Sequence, residues 1–221
     1  MSLAVLRKAP SIEEIPAEHH GKPVVVQLAV YAGDPSEGER VLRPARDIGN
    51  PIADLSGPML YVGLQRLSDA DYPDHELRYY WKSRDLGGFP DELIDLLVER
   101  NEAAPSLLST MAVWLLGGAE ARVPAQDSAF GDRSTTYLLT IEANWERPEE
   151  DSANLAWARK THADAEPFST GREYVNFPGF YEDENVVRDT FGLNFRRLPS
   201  LKERYDPANL FRLNHNIPPA P

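Results

Sequence analysis

Between Thr135 and Trp145 the chain reads TTYLLTIEANW, and Tyr137, Leu139, Ile141, Ala143 and Trp145 fall on every second residue. Two is the side-chain period of a β-strand, so these five apolar residues share one face of an extended segment. A second run repeats the pattern: Leu77, Tyr79 and Trp81 alternate with Arg78, Tyr80 and Lys82. That places the first three on one face and the polar trio on the other. Strands with one apolar face need a layer packed against them, and the segments between supply helices.

Asp34-Pro35-Ser36-Glu37 is a helix start: Asp34 accepts from orphan N–H groups, Pro35 suits the first helical position and Glu37 stands where a capping-box acid belongs. The helix is expected to run to about Asp47, with Gly49 as its stop. A second helix starts at Pro90-Asp91-Glu92, carries Leu93, Ile94, Leu96, Leu97 and Val98, and ends before Pro105. Asp151 or Ser152 is expected to cap a third, which Pro167 stops. Residues 4–8, a well-buried 24–31 and 109–116 complete the strands, and 123–133 is a polar loop. The expected fold class is α+β: an antiparallel sheet with helices packed on one face, the other face free to cover something, and a C-terminal helix and extended tail. The domain reading is residues 1–170 as the α+β unit and 171–221 as a separate C-terminal segment.

With 42% hydrophobic residues in 221, the chain can bury a core. A formal charge of −12 opposes binding to nucleic acid or anionic membrane. No run approaches the roughly 18 apolar residues of a membrane span, and the N-terminal apolar stretch is too short for a signal peptide. There is no cysteine, hence no disulfide or thiolate chemistry, and the expected compartment is cytoplasmic. No Gly-x-Gly-x-x-Gly, Gly-x-x-x-x-Gly-Lys or Gly-x-Ser-x-Gly occurs. The five histidines lack metal-ligand spacing and are read as surface residues, so no metal is expected. Trp81, Trp114, Trp145 and Trp157 are read as core anchors rather than stacking platforms.

The C-terminal stretch is the most distinctive. It opens on Tyr174-Val175-Asn176-Phe177, continues through a charged helix, and closes on Tyr205-Asp206-Pro207-x-Asn209-Leu210-Phe211-Arg212 with a Pro-rich end. This arrangement closely resembles the C-terminal end of the berberine-bridge-enzyme-like FAD-linked oxidases. The likeness extends upstream through Val24–Gly49, Tyr79-Tyr80-Trp81-Lys82-Ser83 with its following helix, Ala129-Phe130-Gly131-Asp132-Arg133 with its following strand, and the helix around Asn154–Arg159. Essentially the whole chain resembles the second half of a bacterial member, the substrate-binding-type domain with its opening elements missing.

The resemblance implies FAD as cofactor, held by an N-terminal flavin-binding domain present in cis or in trans. It implies oxidation of an alcohol or a sugar or secondary-metabolite hydroxyl by hydride transfer, with a small-molecule substrate lying between the two domains. Tyr174 and Asn176 would approach the flavin ring, and Tyr174 is a candidate catalytic group. Tyr80 and Lys82, on a strand face that either overlooks a substrate cleft or faces water, and Arg133 are candidate substrate-binding residues. Several family members carry a tyrosine base at the fourth place of the corner, where this chain has Phe177. Phenylalanine takes no proton, so the base is either absent or replaced, with Tyr174, Tyr80, Lys82 or a carboxylate as the groups that could substitute. Three readings follow: a half-enzyme that is inactive without its flavin domain, one subunit of a two-chain oxidase, or a non-catalytic α+β module that binds a small molecule or forms a homo-oligomer.

Overall fold

The computed structural model describes residues 2–130, 133–177, 179 and 186–221. Gly131 and Asp132 of the resemblance, and residues 180–185 between the corner and the charged helix, lie outside them. Among the described residues five strands form one antiparallel sheet: β1 (Ser2–Lys8), β2 (Pro23–Ala29), β3 (Arg78–Leu86), β4 (Thr110–Leu115) and β5 (Tyr137–Trp145), in the order β2-β1-β4-β5-β3. The helices are α1 (Pro35–Arg46), α2 (Tyr61–Gln65), α3 (Asp91–Glu102), α4 (Asp151–Asp164), α5 (Val186–Phe191) and α6 (Leu198–Tyr205). The fold is α+β with an antiparallel sheet and a C-terminal helix, as the patterning implies.

Helices α3 and α4 lie across β1, β4, β5 and β3 on one face. Leu139, Ile141, Ala143 and Trp145 of β5 meet Met111 and Val113 of β4, with Leu93, Leu97, Trp157 and Ala158 packed on top. These side chains are almost wholly buried, and this layer is where hydrophobic burial stabilises the chain. The α1 start behaves as its sequence dictates, with Asp34 Oδ1 accepting from the backbone N–H groups of Ser36 (3.0 Å) and Glu37 (3.2 Å). Glu37 does not close a capping box; it turns to Arg40 instead. Neither Asp151 nor Ser152 caps α4. Asp151 begins the helix itself, and its Oδ1 accepts from Trp145 Nε1 at 2.7 Å and from Arg78.

Two expectations fail for tertiary reasons. The strand expected to be well buried, β2, is an edge strand paired only with β1, so Val25 and Val26 are 64% and 42% exposed. Tyr80 and Lys82 point neither into an open cleft nor into water. They lie on the helix-covered face, 1% and 6% exposed, with Tyr80 opposite Ala143 and Lys82 opposite Ile141 in the β3–β5 register. Arg159 of α4 stacks over the Tyr80 ring at 5.3 Å. The alternation in β3 is real, but the face carrying Arg78, Tyr80 and Lys82 is the one the helices cover.

After α4 the chain doubles back along the outer edge of β3. Phe168 O accepts from Gly87 N, Thr170 N donates to Asp85 O, Asp85 N donates to Arg172 O, and Gly179 N donates to Trp81 O at 2.7 Å. This strap finishes an edge that would otherwise expose unpaired backbone groups. Gly179, at φ +70°, passes so close to the Tyr80 ring that a Cβ there would lie 3.0 Å from the phenol oxygen. Only glycine fits both that φ and that approach.

Candidate functional site on the open sheet face

The face turned away from the helices carries Tyr79, Trp81, Ser83 and Asp85 of β3, Leu138, Thr140, Glu142 and Asn144 of β5, and Thr110, Ala112 and Trp114 of β4. A solvated second face would be lined by free polar groups, but these are largely buried and bonded to one another. Glu142, 6% exposed, is the hub. Its Oε1 accepts from Thr140 Oγ1 at 2.8 Å; its Oε2 accepts from Thr110 Oγ1 at 3.1 Å and from the Tyr72 hydroxyl at 2.6 Å. Among the described residues Glu142 has three hydroxyl donors and no ion pair, which leaves the carboxylate room for about one further donor. Alongside it, Trp81 Nε1 donates to Asn144 Oδ1 at 2.7 Å.

Tyr72 comes from the segment before β3 and is tethered on both sides. Arg7 of β1 donates both guanidinium nitrogens to Asp71 (3.1 and 3.2 Å), and the Tyr79 hydroxyl donates to Pro73 O at 3.0 Å. Burial and the neighbouring Glu142 carboxylate push the Tyr72 phenol well above its ordinary range. Tyr72 is therefore a fixed hydrogen-bond donor at neutral pH and no source of phenolate.

The strap brings the corner residues to the rim of this face. Phe177 N donates to Tyr174 O at 3.0 Å to close the turn, and Asn176 Nδ2 donates to the Tyr174 hydroxyl at 2.8 Å. The Phe177 ring meets Trp81 edge-on with centroids 5.3 Å apart, and Tyr174 at 5.5 Å. Tyr72, Tyr79, Trp81, Phe177, Tyr174 and Phe130 thus form a continuous row of rings, each 5.3–6.4 Å from the next.

Of the residues expected in a site, Tyr174 and Asn176 are brought together at the rim, while Tyr80 and Lys82 lie on the opposite side of the sheet. Arg133 is half-buried and engaged locally: it donates to Ser128 Oγ at 3.1 Å, sits 3.7 Å from Glu120 and stacks on Phe130 at 4.7 Å. Its visible role is to order the loop that carries Phe130 toward Tyr174. Trp81, read as a core anchor, is half-buried on the open face. Glu142, Tyr72, Thr110, Thr140 and Asn144 were missed. The signal for three of them was in β5, where Thr140, Glu142 and Asn144 alternate with the apolar row. Polar residues there mark a second face that meets something other than a helix layer.

The C-terminal tail is built around another carboxylate. Asp206 accepts from the backbone N–H groups of Leu210 (2.8 Å) and Phe211 (3.0 Å) and pairs with Lys202, which also donates to Phe211 O at 2.6 Å. Lys202 and these backbone bonds hold the Asp206 carboxyl below its usual range against the opposing effect of burial. The clasp fixes a loop whose Leu210, Phe211 and Leu213 side chains are 76%, 84% and 86% exposed. Apolar side chains presented from a fixed loop are a mark of an interaction surface.

A helix-backed antiparallel sheet whose other face is an ordered polar and aromatic wall defines the class of the fold as α+β. The family described as "Berberine and berberine like" matches residues 173–218. The FAD-linked oxidoreductase YvdP of Bacillus subtilis (strain 168), itself described as uncharacterized, is 27% identical over 203 residues, 86% of this chain and 43% of that protein. An FAD-linked oxidoreductase of Dictyostelium discoideum is 25% identical over 198 residues, covering 88% of this chain and 42% of that protein. In fold, the chain is similar to BBE-like #28 from Arabidopsis thaliana, with a TM-score of 0.74 at 18% identity over 100% of this chain and 50% of that one. The chain thus resembles the berberine-bridge-enzyme-like proteins, through the family match over residues 173–218 and through these relatives along most of its length. It spans about half the length of the curated relatives it matches.

Proposed function

We propose that this chain is the substrate-side half of an FAD-dependent oxidoreductase that oxidises a hydroxyl-bearing small molecule, with the open sheet face as the wall opposite the flavin. The observation that carries this reading is Glu142: a buried carboxylate, held by three hydroxyl donors, on the face opposite α3 and α4. FAD, bound by the remainder of such a protein, supplies the acceptor for the hydride that leaves the substrate carbon. The hydroxyl proton leaves to Glu142, which fills the role that Phe177 cannot. Tyr72, Thr110 and Thr140 orient the carboxylate, and the aromatic row supplies the apolar wall.

The donor set at the rim fits one part of a flavin. Asn176 is exposed, and with one amide N–H committed to Tyr174 it keeps a carbonyl oxygen and an N–H for the alternating donors and acceptors of a ring edge. For the cofactor's phosphates the sequence supplies no glycine-rich loop, so a flavin-binding domain must hold them, in cis or in trans. The exposed Leu210, Phe211 and Leu213 support contact with that domain.

Purified alone, the chain is expected to be colourless and without oxidase turnover. Mixed with a separately produced, FAD-loaded N-terminal half, it is expected to form a complex and restore anaerobic flavin reduction by substrate. Asn176→Ala in that complex is expected to shift the flavin absorbance bands. A chain that carries near-stoichiometric flavin by itself, or one that forms no complex, would sink the proposal; an unmoved spectrum in Asn176→Ala would remove Asn176 from the flavin edge.

A further inference from the structure

We propose that Ser83 and the His162–Glu173 pair are positioning residues that clamp the Tyr174–Asn176 corner against the edge of β3 from two sides. The role rests on the reading of that corner as the flavin-facing rim. On one side the contact is to the backbone. Ser83 Oγ accepts from Tyr174 N at 2.8 Å and its hydroxyl lies 3.4 Å from Tyr174 O, so one side chain serves both main-chain groups of the corner tyrosine. Ser83 is fully buried beneath the strap. Losing its hydroxyl would leave a backbone donor without a partner at the residue that leads the turn.

The other side grips the preceding residue. Glu173 Oε1 lies 2.8 Å from His162 Nε2 of α4, and its backbone carbonyl accepts from Thr190 Oγ1 of α5 at 2.8 Å. His162 is itself held from behind by Arg84 of β3. The Arg84 guanidinium donates through Nε to His162 O at 2.7 Å and through a terminal nitrogen to Nδ1 at 3.3 Å. A guanidinium only donates, so Nδ1 is the acceptor and the ring proton sits on Nε2, toward Glu173. The Nε2–Oε1 contact is off the N–H line, and Nε2 and Glu173 Oε2 have no in-line hydrogen-bond partner, so the attraction is chiefly electrostatic. Burial pushes the Glu173 carboxyl up, but His162, Lys82 and Arg84 outweigh it and hold it below its ordinary value. Four elements therefore meet around the His162–Glu173 pair: β3 through Arg84, α4 through His162, the strap through Glu173 and α5 through Thr190. The next residue along the chain is Tyr174.

Residue-resolved hydrogen exchange on the chain as it stands tests the clamp without any flavin, so its failure is separable from failure of the functional reading. Ser83→Ala is expected to speed exchange at Tyr174 N–H by about tenfold, the size of one lost hydrogen bond, and His162→Ala, which removes the charge-bearing contact to Glu173, by about threefold to tenfold. Amides of Leu139 and Ile141, deep in β5, should keep their wild-type rates. His162→Gln, whose amide can accept from Arg84 and donate to Glu173, should return Tyr174 to within about threefold of wild type. The proposal is overturned if Tyr174 stays protected in both alanine variants, if β5 amides speed up in step with it, or if His162→Gln exchanges as fast as His162→Ala.

Discussion

Glutamine in place of Glu142 is expected to lower turnover of the flavin-completed enzyme by about 10²–10⁴-fold, the usual contribution of a positioned general base. The substitution preserves shape. Its amide oxygen can still accept from Tyr72 or Thr140, and the remaining hydroxyls can rotate to accept from the new amide N–H. Folding should survive, and the loss should fall on kcat rather than on KM, because the proton moves only in the reacting state. Tyr72→Phe is expected to have a smaller effect, since burial and Glu142 keep its phenol protonated and it acts only as an orienting donor. Steady-state kinetics across pH check both variants. A Glu142→Gln enzyme within about threefold of wild type would eliminate Glu142 as the base.

The largest expected effect on stability comes from the opposite side of the sheet. Trp145 is 2% exposed at the end of β5, packed in the helix-covered core, with Nε1 donating to Asp151 Oδ1 at 2.7 Å. Trp145→Ala removes the indole and leaves a cavity that the sheet and α4 can only partly close, at a cost of about 3–5 kcal/mol. Asp151 keeps its two contacts to Arg78, so no carboxylate is orphaned and packing should dominate the loss. Domains of this kind have roughly 5–15 kcal/mol in total, so a large share would be gone. Urea denaturation of both proteins measures it through the shift in midpoint at unchanged slope. A loss below about 1 kcal/mol would show that the Trp145 site collapses without cost and that the core lies elsewhere.

Both expectations come from one strand, and β5 shows how far the sequence could be read. Its apolar row predicted the core face directly, because period-two alternation is a local property of extended backbone. The same nine residues also carried Thr140, Glu142 and Asn144 on the other face. Nothing local says that Glu142 will meet hydroxyls from β4 and from the segment before β3, or that Asn144 will meet the Trp81 indole. Tyr72 reaches Glu142 across 70 positions of sequence, a distance that no spacing rule covers. The corner fared better. Tyr174 and Asn176 are two residues apart in a turn, so their contact is nearly guaranteed by the chain itself.

The two misplacements share a cause. For β3, alternation separated Tyr79 and Trp81 from Tyr80 and Lys82, but the more polar set was taken for the outer one. The long stems of lysine and arginine and the tyrosine ring pack well under a helix when their polar ends find partners, as Arg84 does at His162. For β2, the run Val24-Val25-Val26 resembled a central strand, although hydrophobicity does not say how many neighbours a strand acquires.

The sequence by itself determined the fold class, the helix start at Asp34, the parity of β3 and β5 and the resemblance to the berberine-bridge-enzyme-like family, all carried by local periodicity or by the residues of the C-terminal stretch. Only the tertiary structure decided which side of each strand is covered, that β2 is an edge, that Tyr80 and Lys82 belong to the core, and that Glu142 is a buried carboxylate held by three hydroxyls on the open face. Those outcomes depend on strand order and on where α3 and α4 come to rest, and both are set by contacts between residues far apart in the chain.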